Sequence, residues 1–419
     1  MQVMSVLARF QPCRYVQQAI LNAAALRLAE VGSLSDAVQL LEGLLEVDAS
    51  NAVAKQLREK LAFGHFRSVT SSSLNVQWKF PSRTLGHTGL DYDKQCRLLE
   101  HVLCTAQRGD AWSVVDTIER FSVEGNGWLK IAGGGKGVVL DDLVKKLAPQ
   151  PAELVLEFGC FVGYSSTRMA YWLRHSGGRL LSVEVDPIHV CIARNVHEFA
   201  GVADVITVCT GYSEDVIPHL KMTLGAHGAP RAADAIFFDQ RGTRFHTDLW
   251  MLEGEGLLKD GCAVLADNVL KPGAPHFLWY LQHSPKYDLT VVSLREFAAD
   301  RIEDWMALGI YDASAADVIV PAPKSLDRVA FLTDKARARS CNADGPCEVD
   351  EDAWARHAQE IRLAYDEVKI HPRIAHILQS PGAPDSKPFV DWPESLGKNM
   401  ENRFCCAFSG VLYGDCKRL

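Results

Sequence analysis

The clearest chemistry in this 419-residue sequence sits at the ends of two apolar runs. Ile236-Phe237-Phe238 ends in Asp239, and Ala263-Val264-Leu265-Ala266 ends in Asp267-Asn268. Delivered to one edge by adjacent strands, two carboxylates and an amide oxygen make an all-oxygen set suited to a hard cation such as Mg²⁺. Three protein oxygens leave positions for water and for a substrate that binds through two neighbouring oxygens. A cation there would lower the pKa of a substrate hydroxyl and fix it as a nucleophile. Helix capping also places acids at strand ends, but it accounts for one of these residues more easily than for all three.

A second constellation starts at Val155-Leu156-Glu157-Phe158, an apolar run that ends in Gly159-Cys160-Phe161-Val162-Gly163-Tyr164-Ser165. Gly159 and Gly163 lack a Cβ, so the backbone can turn sharply there and approach a ligand closely. The next apolar run ends at Glu184, followed by Val185-Asp186-Pro187, with Pro187 suited to the first turn of a helix. An acid at the end of the second strand is placed to accept hydrogen bonds from both ribose hydroxyls of a nucleoside. The GxGxxG form that a nicotinamide site prefers is missing.

The elements that must position these residues alternate. Apolar runs at 153–158, 179–185, 205–209, 233–239, 261–267, 287–294 and 304–311 read as strands, with helical stretches between the first six. The pattern predicts an α/β fold, a seven-stranded, mostly parallel Rossmann-like sheet covered on both faces, with ligands at the carboxyl ends of its strands. The last two runs are joined too closely for a helical crossover and should form an antiparallel pair. Residues 93–148 look helical, interrupted by Gly125, Gly127 and Gly133 to Gly135. Ahead of them, residues 1–66 read as helical, and Gln18 to Leu61 resembles one tetratricopeptide repeat, Gly32 making the turn and Ala37 letting the helices approach. A lone repeat cannot bury its apolar face, so it should pack on the main domain or on a protein partner. Residues 67–92 read as a linker, and 334–419 as a C-terminal extension with a helix over Asp350 to Val368 and a tail containing Cys405 and Cys406, to which no chemistry is assigned.

Composition narrows the partners. The formal charge is −8, without a dense basic stripe, which argues against nucleic acid. No apolar run is long enough for a bilayer span. Twelve cysteines without CxxC pairs read as reduced thiols. The first 29 residues contain Arg9, Arg14 and Arg27 but no acid, so a cytoplasmic location is expected with an organelle as the alternative.

Taken together, Trp128 to Gly137, the Glu157 to Ser165 loop, Val183 to Pro187, Gly211 to Pro218, Asp239 to Phe245 and Asp267 to Pro275 resemble the catechol O-methyltransferase family over about 240 residues, 93–333. The resemblance implies a class I methyltransferase sheet and in-line transfer of the sulfonium methyl of S-adenosylmethionine to a metal-held oxygen of an aromatic diol. It implies cofactor binding by Ala132, Glu157, Gly159, Phe161, Ser165, Glu184, Ser213, Glu214 and Gln240, and Mg²⁺ binding by Asp239, Asp267 and Asn268. Trp128 and Pro272 would wall the aromatic substrate, and Glu296 would hydrogen-bond its second hydroxyl.

One departure stands out. Three residues after the first metal aspartate the family carries a general-base lysine, and this chain has Gly242. General-base assistance is commonly worth about 10²–10⁴-fold. Lys130, in place of a family methionine, is a candidate to supply the missing ammonium or base, and Lys271 lies beside Pro272 in the substrate-wall loop. Arg241 stands where the family has a tryptophan edge by the adenine, and His246 is a weaker candidate base. Three functions stay open on these residues: a catechol O-methyltransferase, a transferase for another acceptor, or a catalytically weak cofactor-binding module that works through a protein partner.

Overall fold

The computed structural model describes residues 93–124, 129–226, 232–318, 320–341, 350–378 and 388–393, with residues 41, 42, 55 and 58. Apart from those four residues, the tetratricopeptide-like hairpin and the linker lie outside the described residues, as do Trp128 and the tail beyond residue 393. Helices α1 (Asp93–Thr105), α2 (Ala111–Val123) and α3 (Gly135–Asp142) precede the sheet. Then come β1 (Leu154–Phe158), α4 (Tyr164–Ser176), β2 (Arg179–Glu184), α5 (Pro187–Ala200) and β3 (Ile206–Thr210). The second half holds α6 (Ser213–Val216), α7 (Leu220–Ala226), β4 (Ala233–Phe238), α8 (Phe245–Gly254), β5 (Leu258–Ala266), α9 (Pro275–His283), β6 (Tyr287–Glu296) and β7 (Ala299–Tyr311). Beyond these follow α10 (Ser325–Cys341), α11 (Glu351–Glu367), β8 (Arg373–Leu378) and β9 (Phe389–Val390).

All seven expected strands form, but the sheet has nine, in the order β3-β2-β1-β4-β5-β7-β6-β8-β9. Seven was an undercount. The C-terminal segment adds β8 parallel to β6 and β9 antiparallel to β8, so the free edge that β6 would present is covered. These two strands escaped the apolar pattern for a physical reason: β8 is largely exposed and β9 is two residues long, so neither needs a continuous apolar run. β7 runs antiparallel between β5 and β6, as the short connection required.

β1 and β4 are buried at every position, which is why they read as unbroken apolar runs. Alternate residues still go to opposite faces. Val155, Ala235 and Phe237 join the core under α1 to α5, whereas Leu156, Phe158, Ile236 and Phe238 join the core under α7 to α11. In that second core Phe238 stacks on Phe158 and Phe245 at ring separations of 5.2 and 5.4 Å, with Phe277 edge-on at 6.0 Å. Truncating such a ring to alanine typically costs about 3–5 kcal/mol. This packing anchors the strand end that carries Asp239.

The turn after β1 is held from behind. Gly163, at φ +88°, begins α4, and a Cβ there would lie 2.8 Å from Nε2 of His197 on α5. His197 is buried, and its Nε2 is hydrogen-bonded to Ser166 Oγ at 2.8 Å. Burial, with a smaller contribution from the Arg194 charge, lowers its pKa to about 3. An unfolded histidine takes up its proton near pH 6.5, so acidification between about 6.5 and 3 favours the unfolded chain, by up to about 1.4 kcal/mol per pH unit from this residue. Thermal denaturation followed from pH 7 to pH 4 should therefore show a falling midpoint, with a shallower fall in His197→Gln. Parallel curves for the two proteins would mean that His197 does not set the slope.

Candidate active site

The parallel ladders end at one level, with Phe158 opposite Phe238 and Phe238 opposite Ala266. One more rung lies beyond each strand. The amide of Asp239 donates to Phe158 O at 2.8 Å, and that of Asp267 to Phe238 O at 2.9 Å. Backbone hydrogen bonding thus brings Asp239 and Asp267 side by side at the carboxyl edge. Asn268, at φ +61°, turns the chain so that its amide nitrogen donates to Asp239 Oδ1 at 3.1 Å. β1 and β4 are also where the strand order reverses, the crevice in which open α/β sheets bind ligands.

A buried ammonium organises the acidic side. Lys136, at the start of α3 and 1 % exposed, reaches Asp304 Oδ2 at 2.8 Å, Asp267 Oδ1 at 2.9 Å and Glu296 Oε1 at 3.3 Å. Burial alone would lower its pKa, but Asp267, Asp304 and Glu296 outweigh that and raise it well above the usual lysine value. Lys271 Nζ contacts Glu296 Oε2 at 2.5 Å. Burial disfavours charge on Glu296 as well, yet Lys136 and Lys271 hold its carboxyl at about 2. Asp267 moves the other way, to about 6, because burial and its acidic neighbours exceed the help from Lys136. Burial and the charge of Asp267 push Asp239 well above the carboxylate range.

Two ammonium groups face four carboxyl groups, so the cluster is short of positive charge, and Asp239, the acid pushed up furthest, makes no ion pair with a lysine or arginine among the described residues. That balance fits one divalent cation between Asp239, Asp267 and an Asn268 oxygen. No group of three His, Cys, Asp or Glu side chains among the described residues is arranged as a metal site, so a cation here would need the Asn268 amide as its third protein donor.

Beside this cluster a cleft is lined by Lys130, Ala132, Gly159, Phe161, Ser165 and Asp239 together with Ile131, Cys160 and Tyr164. Gly159, at φ +101°, forms its floor, and a Cβ there would strike the Asp239 carbonyl at 2.5 Å. Glu157 lies beneath, accepting from Ser165 Oγ and Ser182 Oγ at 2.5 Å each. Its burial is complete and raises its pKa to about 7 against the two hydroxyl donors. Glu184 accepts from the backbone amides of Phe161 at 2.8 Å and Asp186 at 2.9 Å, placing the proposed ribose acid against the glycine loop.

Other expected residues sit around this centre. Gln240 and Ser213 both donate to Asp248 Oδ2, Ser213 at 2.7 Å. Glu214 is exposed and pairs with Arg244. Lys130 is exposed while lining the cleft, and Pro272 is half-buried, its carbonyl accepting from His357 Nε2 at 2.9 Å. His246 stacks on His276 at 4.9 Å and is kept neutral, at about pKa 4, chiefly by burial. It does not line the cleft.

Comparison with known proteins identifies the family. Residues 156–269 match a methyltransferase-domain family. Bovine (Bos taurus) catechol O-methyltransferase is 38 % identical over 195 residues, 46 % of this chain and 68 % of that protein. Catechol O-methyltransferase B of Danio rerio is 39 % identical over 191 residues, 46 % of this chain and 69 % of that protein. The chain belongs to the catechol O-methyltransferase family. It is an S-adenosylmethionine-dependent O-methyltransferase with an α/β methyltransferase fold. A human relative, 36 % identical over 46 % of this chain and 63 % of its own length, is named transmembrane O-methyltransferase. Among the described residues of this family member, no helix is long and apolar enough to cross a membrane. The solved O-methyltransferase TomG from Streptomyces achromogenes, in complex with SAM, is similar over 52 % of this chain and 99 % of that one, at 22 % identity and a TM-score of 0.40.

Within this family member, Gly242 is where glycine is sterically required. A Cβ at 242 would lie 2.6 Å from the carbonyl oxygen of Gly273 and 3.3 Å from Ala274 Cβ. The space a lysine stem would leave through is filled by the 269–274 turn. Arg241 is engaged as well, donating to both carboxylate oxygens of Asp334 on α10 at 3.0 and 2.5 Å. The sequence reading missed Lys136 and Asp304. Lys136 carried a signal, since it interrupts a run of glycines, whereas Asp304 lies beside Glu303 in a strand that also carries Asp300 and Arg301 and does not stand out. Gly242→Ala should lower the denaturation midpoint by the equivalent of about 1–3 kcal/mol, the usual cost of overpacking. An unchanged midpoint would show that the two turns separate freely.

Proposed function

We propose that the enzyme methylates a hydroxyl of a catechol-like aromatic diol with the help of Mg²⁺. The observation that carries the reading is the buried pair Asp239 and Asp267 with Asn268, in a cluster of four carboxyl groups against two ammonium groups, next to the glycine-loop cleft. When bound, adenosylmethionine supplies the methyl group, and Mg²⁺ supplies the charge that acidifies a hydroxyl.

The residues of the chain do the rest by position. Glu184 would accept from the cofactor ribose, and Gln240 with Ser213 would meet its adenine end. Ala132, Phe161 and Ser165 line the cleft where the methionine end would lie. Asp239, Asp267 and Asn268 would hold the cation. Glu296, kept ionised by Lys136 and Lys271, can only accept a hydrogen bond and suits the hydroxyl that does not react. Trp128 and Pro272 would wall the ring. With no lysine at 242, removal of the acceptor proton depends on cation acidification, which favours turnover slower than that of lysine-bearing relatives. Lys130, at the cleft, is the candidate for partial replacement.

Two measurements test this. Label transfer from adenosylmethionine to vicinal diols and to monophenols should favour the diols, and should fall about 100-fold or more with chelator or in Asp239→Ala. Chelator-resistant turnover, or equal rates on both acceptor classes, would sink the reading. Separately, adenosylmethionine carries positive charge and favours ionised Glu157, so its affinity should rise as pH increases through 7, by up to about tenfold per unit. Glu157→Gln should flatten that rise; a wild-type affinity that does not vary with pH would remove Glu157 from the cofactor site.

A further inference from the structure

Four carboxylates and two ammonium groups meet at the acceptor end, and the two lysines differ in what they can do. Lys136 lies 3.3 Å from each oxygen of Glu296 while also serving Asp267 and Asp304. A cation equidistant from both oxygens attracts a carboxylate without choosing its rotation. Lys271 does choose, since its Nζ sits 2.5 Å from Oε2, while the backbone amide of Phe297 donates to Oε1 at 3.2 Å. Both lysines help to compensate Glu296, but only Lys271 singles out one of its oxygens.

Lys271 is in turn held by the C-terminal extension. Its ammonium lies 5.2 Å from the ring centroid of Trp354 on α11, on which a cation is attracted to the ring face. The turn that carries it is pinned along its backbone. Tyr365 of α11 donates to Val269 O at 2.6 Å and accepts from the Ala274 amide at 2.9 Å, and His357 donates to Pro272 O. Gly273, at φ +119°, packs so closely that a Cβ would lie 2.6 Å from Thr333 Cγ2 on α10 and 3.1 Å from the Tyr365 hydroxyl.

We propose that Lys271, clamped between Trp354 and Glu296, is a positioning residue that fixes the rotation of the Glu296 carboxylate, and that α11 is thereby a working part of the acceptor site. This rests on the catechol reading above. The reaction is unchanged: an acceptor oxygen forms its bond to carbon as the sulfonium–carbon bond breaks, leaving a neutral thioether and releasing the hydroxyl proton to solvent. What Lys271 governs is which hydroxyl Glu296 holds, and so which one is methylated.

The test uses the full chain with Mg²⁺ and an unsymmetrical diol, 3,4-dihydroxybenzoate, whose two mono-methyl products are separable. Lys271→Met should raise KM for the diol about tenfold and move the product ratio toward unity, with adenosylmethionine affinity unchanged. Lys271→Arg should restore the ratio, whereas Lys271→Met in a merely structural role would not alter it. Trp354→Leu keeps the ammonium but loosens its clamp, so it should shift the ratio in the same direction and serves if Lys271→Met does not fold. Wild-type KM and product ratio in both Trp354→Leu and any folded Lys271→Met would overturn the proposal. A wild-type enzyme that does not methylate this diol yet methylates monophenols would overturn the catechol reading itself, and this proposal with it.

Discussion

The acidic half of the site depends on one buried ammonium. Lys136 joins α3 to the end of β5, the end of β6 and the middle of β7 through Asp267, Glu296 and Asp304. Without it, three carboxylates would face one another in a region from which water is excluded, and such a cluster would protonate or come apart. Losing one partner from a buried charge network typically costs about 3–5 kcal/mol. Lys136 satisfies these acids only in part. Glu296 is left firmly ionised, Asp267 sits near 6, and Asp239 is pushed well up. The acids that lack a cationic partner, and would ionise on gaining one, are therefore on the side facing the glycine-loop cleft.

The second half of the site is a matter of close backbone approach. Gly159 lets the β1 turn lie against the carbonyl of Asp239, and Gly242 lets the β4 turn lie against Gly273. The first contact brings the glycine-loop cleft to the carboxylate edge. The second brings the 269–274 turn close, and it is incompatible with a side chain at 242. Loss of the family lysine and a tight 242–273 contact are thus two descriptions of one packing arrangement. The C-terminal helices complete it, with Asp334 holding Arg241 on one turn and Tyr365 bridging the ends of the other.

Much of the fold could be read from the sequence because strands buried on both faces need continuous apolar runs, and β1 and β4 have them. Asp239, Asp267 and Glu184 stood out because they end such runs. β8 and β9 did not, since a half-exposed edge strand needs only backbone pairing from its neighbour. Lys136 was present in plain sight as a charge among glycines, whereas Asp304 is one of several charges at its strand end. Sequence position gives no hint that they meet across 168 residues.

The sequence by itself determined which chemistry reaches the strand ends: a glycine turn, a ribose-compatible acid, and two carboxylates with an amide. It did so because alternation and apolar runs are local properties. Only the tertiary structure decided how those charges balance and why residue 242 cannot bear a side chain. Both depend on atoms distant in sequence lying within 3.5 Å, and only the packed fold brings them together.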